Sequence, residues 1–304
     1  MGVLLNKEGI CEHLKRNNLR FDWINFSFVF GFILFSIIGV PLYYLLADQS
    51  PDWRPWALCF VLYWMTGMGI TMGYHRYFSH KTFKTNSFVS FVMMLLGTMS
   101  LQNSVIKWSN DHRVHHRLTD KEGDPYNASY GFLWSHILWI FYSEKYTDRG
   151  HSKAELQEEF SMVKDLIASP VLRWQHRYYF WLTSLLNVFI PIGFAYALGG
   201  SFIEYFIVAG IFRIFIVHQS TFFINSLAHL IGERPYNAFE SARDSFICSI
   251  LAFGEGYHNY HHSHPTDYRN GLKFYHFDPT KWIIYGLSLV GMTSSLKRTK
   301  LAGR

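Results

Sequence analysis

The chain has 304 residues and a formal net charge of +6; 49% of it is hydrophobic, 19% aromatic and only 16% charged. So few charges and so many long apolar runs exclude a disordered chain and argue against an ordinary soluble domain. The basic residues flank the apolar segments, which suits a cytoplasmic membrane face better than a nucleic-acid partner.

Residues 1–20 read as a polar, solvated arm with Lys7, Lys15, Arg16 and Arg20 and no cleavable signal peptide. Residues 26–46 are the first apolar run long enough to span a bilayer. A turn with two prolines follows at 48–55, and a second run, 56–72, delivers the chain to His75. The run at 88–99 is too short for length to decide. Were it to cross, His112, His115 and His116 would lie on the opposite side from His75 and His80, so an interfacial or re-entrant helix is expected. A second interfacial stretch is expected at 131–142, with His136 in a structural role. Residues 144–177 are the most polar part, and Glu155, Glu158 and Glu159 read as a solvated helix face. Runs 178–198 and 201–223 form a second apolar hairpin, turning at Gly199-Gly200. The basic stretch 297–300 reads as a frayed tail.

These elements predict an all-α integral membrane protein in a single domain, 1–304. Two transmembrane hairpins (24–74 and 178–224) supply four helices, and the segments 75–177 and 225–304 form a helical cap carrying a histidine-rich dimetal site. The far-side turns hold only Arg54 among basic residues, whereas Lys81, Lys84, Arg173, Arg234, Lys297 and Arg298 lie near the cap. The site is therefore expected to face the cytoplasm, from a bacterial inner membrane or the endoplasmic reticulum. Cys11, Cys59 and Cys248 form no CxxC pair and no even framework, so neither disulfides nor a thiolate metal site is expected.

His112-Arg113-Val114-His115-His116 and His258-Asn259-Tyr260-His261-His262 each place histidines at i, i+3 and i+4, on one helix face. With 16 histidines in 304 residues, such a pattern arises by composition roughly 0.04 times per chain, so two copies are not chance. His75 and His80 form a third cluster. Imidazole is the commonest metal ligand near neutral pH. Eight clustered histidines exceed what one ion accepts, which implies two. All-nitrogen coordination suits iron, zinc, copper or nickel and argues against calcium or magnesium. A redox-inert pair would serve hydrolysis; a redox-active pair would activate dioxygen against an unactivated C–H bond.

The strings HRYFSH, HRVHH and HNYHH, in this order and spacing, resemble the three histidine boxes of the membrane fatty-acid desaturases, closest to the Δ9 stearoyl-type branch. The likeness runs from about residue 56 to 270 through GITMGYHRYFSH, QNSVIKWSNDHRVHH, GDPYN, NSLAHL, ERPYN and GEGYHNYHH. The resemblance implies a diiron centre on nine histidines, eight from the boxes and one from an NxxxH motif, here Asn225 to His229. Taken alone, His229 reads as a buried structural histidine; the resemblance makes it the ninth ligand and gives Asn225 a metal-bound water. His218, His264 and His276 match no ligand and are expected to be structural. Gln102, Trp108 and Thr221 resemble residues that shape the bend of an acyl tunnel, and packing is their alternative role. Tyr63 and Gly67, four apart on one helix face, correspond to positions that set how long a tail fits, although close helix packing also explains the glycine.

The implied reaction is an oxygen-dependent removal of two hydrogens from adjacent methylenes, leaving a cis double bond. Its two electrons must come from outside, since the chain has no haem-binding or iron–sulfur motif. A cytochrome b5 or ferredoxin-type donor with its reductase is implied. The family's animal acyl-CoA members carry basic residues where this chain has Asn110 and Ser129-Tyr130, so the carrier stays open between CoA and lipid. The nearest alternative is a diiron hydroxylase or ketolase; a zinc hydrolase or a non-enzymatic metal carrier fits the ligand positions less well.

Overall fold

Four helices have the length and apolar composition to cross a membrane: Trp23–Leu46, Trp53–Ser79, Tyr179–Leu198 and Phe202–His229. The structure, a computed structural model, describes residues 4–47, 52–143 and 153–300. Only 17% and 22% of the apolar windows of the first and third helices are buried, against 56% and 50% for the second and fourth. The first and third are apolar on all sides, as a lipid-facing helix must be, and the second and fourth form the inner pair. The four apolar helices fit a multi-pass membrane protein.

The inner helices are long for a purpose. At 27 and 28 residues they extend about 40 Å, roughly 10 Å beyond a hydrocarbon core of about 30 Å. His75 and His229 lie in the last turns of these two helices. At the opposite end the two connections meet: Arg54 Nη1 donates to Leu198 O at 2.6 Å, and Tyr44 OH and Asp52 N donate to Glu204 Oε1 at 2.8 and 3.2 Å. All nine histidines of the expected site therefore lie away from the turns.

Helix Ser87–Thr98 has 12 residues, about 18 Å, too short to cross. It lies against the second spanning helix at two glycines. A Cβ at Gly69 would collide with the backbone of Leu96 and Gly97, and one at Gly97 with the Tyr74 ring. A strap, residues 99–104, then leads to the box helix Val105–Leu118, whose N-terminus is capped by Ser104 Oγ accepting from Lys107 N at 3.3 Å.

Both termini depart from expectation. The arm is not a solvated tail: helix Lys7–Arg16 buries Ile10 and His13, His13 packs on Tyr130 and Trp134, and Asn6 N donates to Tyr130 O at 2.8 Å. Nor is the basic tail frayed. Lys297 N donates to Thr82 O and Tyr268 N to Lys297 O, Arg298 reaches Tyr268 OH, and Thr299 N donates to Asp267 Oδ2 at 2.8 Å. Polar composition does not reveal such docking, because the partners are distant in sequence. Of the polar stretch expected at 144–177, residues 144–152 lie outside the described residues. Glu155, Glu158 and Glu159 are exposed.

Candidate metal centre

The first box needs a distorted helix. In an α-helix, residues five apart sit about 140° apart around the axis. Here residues Gly69–Ser79 are wound as a π-helix, and His80 N bonds to His75 O at 3.1 Å. The wider turn brings both rings to one face, with centroids 4.8 Å apart. The second box lies on Val105–Leu118 and the third on the one-and-a-half-turn helix His258–Ser263.

The nine histidines fall into two groups, His75, His80, His112, His116 and His261 in one, His115, His229, His258 and His262 in the other. Within each, the ligand atoms lie within 4.8 Å of one another. Each HxxHH box is divided between them. His112 and His116 share the first group while His115 turns to the second; His258 and His262 share the second while His261 turns to the first. The i and i+4 positions of a box thus serve one group, and its i+3 position serves the group of the other box.

The Nε2 atoms point inward. His75 and His261 approach to 2.9 Å, His80 and His112 to 2.8 Å, and His261 and His116 to 3.0 Å. In the second group His258 and His262 stand 3.1 Å apart and His115 and His262 3.4 Å. His229 Nε2 is buried with no hydrogen-bond partner among the described residues. Several of the outer nitrogens are anchored, although Nδ1 of His258 and of His261 has no hydrogen-bond partner among the described residues. Nδ1 of His115 donates to Asp124 Oδ1 at 2.8 Å, and that of His229 to Ser241 Oγ at 2.6 Å, whose hydroxyl in turn donates to Asp120. His75 Nδ1 lies 2.7 Å from Glu255 Oε2, His262 Nδ1 3.3 Å from Glu240 Oε2, and His112 Nδ1 3.3 Å from Tyr126 OH. A proton held on Nδ1 leaves the Nε2 lone pair facing the group.

Burial, and then the neighbouring imidazoles, hold His80, His112, His116, His258, His261 and His262 well below the ordinary histidine value. These rings are neutral at neutral pH, the form that binds a metal. Convergent buried lone pairs repel unless a cation lies among them. A metal–nitrogen bond of about 2.1 Å sets adjacent ligand atoms about 3 Å apart, the separation seen across both groups. The donor set therefore fits a pair of first-row transition-metal ions.

The other histidines are engaged elsewhere. His136 uses both ring nitrogens, on Ser226 Oγ and Gln219 Oε1; His218 bonds to Ser100 O; His264 and His276 stack on Tyr260 and Tyr257. Asn225 is half-buried, one turn before His229. Tyr63, Gly67 and Thr221 line one narrow slot between the inner helices, with Val217, Ser220 and Phe253. The Phe253 ring covers Gly67 so closely that any Cβ there would strike it. Gln102 joins the slot to the histidines: its amide donates to Thr221 Oγ1 at 3.0 Å and accepts from Trp108 Nε1 at 3.3 Å, and Trp108 stacks on His112 at 4.9 Å. Asp124 and Glu255, buried against the candidate ligands, lie inside the GDPYN and GEGYHNYHH strings, where nothing in the sequence sets either apart.

Comparison with known proteins settles the lineage. The fatty acid desaturase family model matches residues 51–288. The chain belongs to the fatty acid desaturase family. Among its relatives in this family, a probable acyl-CoA desaturase of Schizosaccharomyces pombe is 36% identical over 90% of this chain and 54% of its own length. The stearoyl-CoA desaturase 5 of Bos taurus is 35% identical over 89% of this chain and 78% of its own. An sn-2 palmitoyl-lipid 9-desaturase of a Nostoc species is 35% identical over 93% and 92%. The chain thus spans about half the length of the yeast desaturase and nearly all of the Nostoc one.

Proposed function

We propose that this chain is an oxygen-dependent fatty acyl desaturase that introduces a cis double bond at the Δ9 position of a saturated chain carried on CoA or lipid. The observation that carries the proposal is the pair of buried imidazole groups joined to an apolar slot by the His112–Trp108–Gln102–Thr221 sequence of contacts. The family and the names of its relatives point to the same activity.

His75, His80, His112, His116 and His261 would hold one iron ion, and His115, His229, His258 and His262 the other, with Asn225 binding through water. Two bound irons supply the oxidising power that an unactivated methylene requires. In balance, the –CH2–CH2– unit loses two hydrogens while O2, two electrons and two protons become two waters. The electrons come from a separate cytochrome b5 or ferredoxin-type donor with its reductase.

The protein's own part is placement. Tyr63, Gly67 and Thr221 line the slot that takes the tail; Gln102 and Trp108 bend the chain so that one pair of carbons meets the site. Apolar walls exclude water, and orientation within a fitted slot accounts for much of the selectivity. All three boxes and both ends of the chain, 1–304, would share the cytoplasmic side in a single domain of two membrane hairpins and a cap. Labelling supports this if Ser201→Cys reacts only from outside and Lys121→Cys only from inside.

The decisive experiment is lipid profiling of a host expressing the chain. Loss of two hydrogens from the acyl chain supports desaturation, and gain of one oxygen would make it a hydroxylase instead.

A further inference from the structure

The fourth spanning helix grips the strap that follows Thr98, nearly residue by residue. Arg213 Nη1 donates to Met99 O at 3.0 Å, His218 Nε2 to Ser100 O at 2.9 Å, and Thr221 Oγ1 accepts from Gln102 Nε2 at 3.0 Å. Arg213 and His218 are both buried. No carboxylate pairs with Arg213 among the described residues; its other bonds go to Thr66 Oγ1, Ala209 O and Asn187 Oδ1.

A guanidinium inside a spanning helix with only neutral partners is expensive and rarely kept without a use. What Arg213 holds explains it. Met99 O lies at the C-terminal end of helix Ser87–Thr98, where carbonyls lack helical partners and the helix dipole is negative. A cation satisfies both.

The strap is clamped into a conformation it would not choose. Leu101 has φ +59° and Asn103 φ +75°, the left-handed region that a leucine avoids. Such outliers persist where surrounding structure over-determines them, and they cluster at functional sites. Between these two strained residues stands Gln102, whose side chain hydrogen-bonds both Trp108, stacked on His112, and Thr221 in the slot.

We propose that Arg213 and His218 are positioning residues that fix where the double bond forms. By holding Met99 O and Ser100 O they set the strap's height along the fourth helix, and Gln102 transmits that height to the bend of the acyl chain. A strap displaced by a fraction of a helical turn presents a different pair of carbons to the metal groups. The inference rests on the desaturase reading above.

The test is the positional-isomer distribution of the monounsaturated product, measured by mass spectrometry after derivatising the double bond, with membrane protein levels quantified alongside. His218→Leu removes one clamp, and the share of product shifted from the wild-type position should rise by about 10- to 100-fold, a misplacement of reacting atoms by about 1 Å costing up to about 100-fold. His218→Gln, whose amide can still donate to Ser100 O, should restore the wild-type distribution. Leu101→Gly relieves the positive φ, so the protein should accumulate normally while the loosened strap spreads the isomers. Arg213→Met should spread them too, and if it fails to accumulate the other variants decide. A merely structural role would lower the amount of product and protein together without moving the double bond. Normally accumulating His218→Leu and Leu101→Gly proteins that both make a single wild-type isomer would overturn the proposal. A wild-type chain that makes no unsaturated product defeats the desaturase reading itself, a separate outcome.

Discussion

Glu255 Oε2 lies 2.7 Å from His75 Nδ1, both side chains buried, while Glu255 Oε1 accepts from Arg76 Nε and Nη2 at 3.1 and 2.9 Å. Burial alone would raise the Glu255 carboxyl, but the Arg76 guanidinium and His75 hold it below its ordinary value. It is therefore an anion, able to fix the His75 tautomer and strengthen Nε2 as a donor. Glu255→Gln should reduce product formation by about 10- to 100-fold, the usual cost of losing such a partner. Product per mole of purified protein, with iron content on the same sample, checks it; unchanged values for both would leave Glu255 as packing.

The slot invites a chain-length test with its own rescue. Phe253 already rests against Gly67, so Gly67→Ile must push the ring into the slot. Overpacking costs about 1–3 kcal/mol, which would lower product from eighteen-carbon relative to sixteen-carbon chains by about 5- to 150-fold. Adding Phe253→Leu should return part of the longer product. An equal fall in both would place the end of the acyl tunnel elsewhere.

Asp244 gives a pH signature. Burial pushes its carboxyl up to about 6, against the opposing pull of the Tyr260 N–H it accepts at 3.0 Å. An unfolded aspartate titrates near about 3.9. The folded state thus holds the proton more tightly, and stability from this group falls as pH rises from about 4 to 6, then levels. Asp244→Asn keeps the acceptor and removes the charge. The Tm of the variant should gain on wild type across that window, by the equivalent of on the order of 1–3 kcal/mol. A constant difference would contradict the assignment.

How much of this was legible in the chain depended on the range of the interaction. The HxxHH spacing and the spanning runs are local, and periodicity or length reveals them. The division of each box between two groups is not local: it depends on how Val105–Leu118 and His258–Ser263 face one another, which no spacing encodes. Glu255 and Asp124 stood in plain view inside recognisable strings. A carboxylate near a histidine is too common in sequence to single out, and only the Nδ1 contacts give these two a use. Likewise the π-helical winding that brings His80 beside His75 leaves no compositional trace, and the docking of His13 on Trp134 joins residues far apart in the chain.

Metal removal should be felt by the whole cap. Without ions, nine imidazoles, seven of them buried, face one another with nothing between them, and a ligand present at 100 times its Kd contributes about 2.7 kcal/mol to the folded state. Chelation should therefore lower the Tm by several degrees, and Fe(II) added back should restore it. A Tm indifferent to both would argue against any resident metal.

The most direct test of the account is to express the wild-type chain beside His112→Ala, His229→Ala and His261→Ala in a host that lacks its own Δ9 desaturation, and to measure double-bond position and membrane protein level together. His112 and His261 belong to one group and His229 to the other. The account predicts one cis monounsaturated product from wild type, bearing its double bond at carbon nine, and none from any variant, all four proteins being present in the membrane at similar levels. Wild-type amounts of product from His229→Ala, or from either of the others, would contradict it.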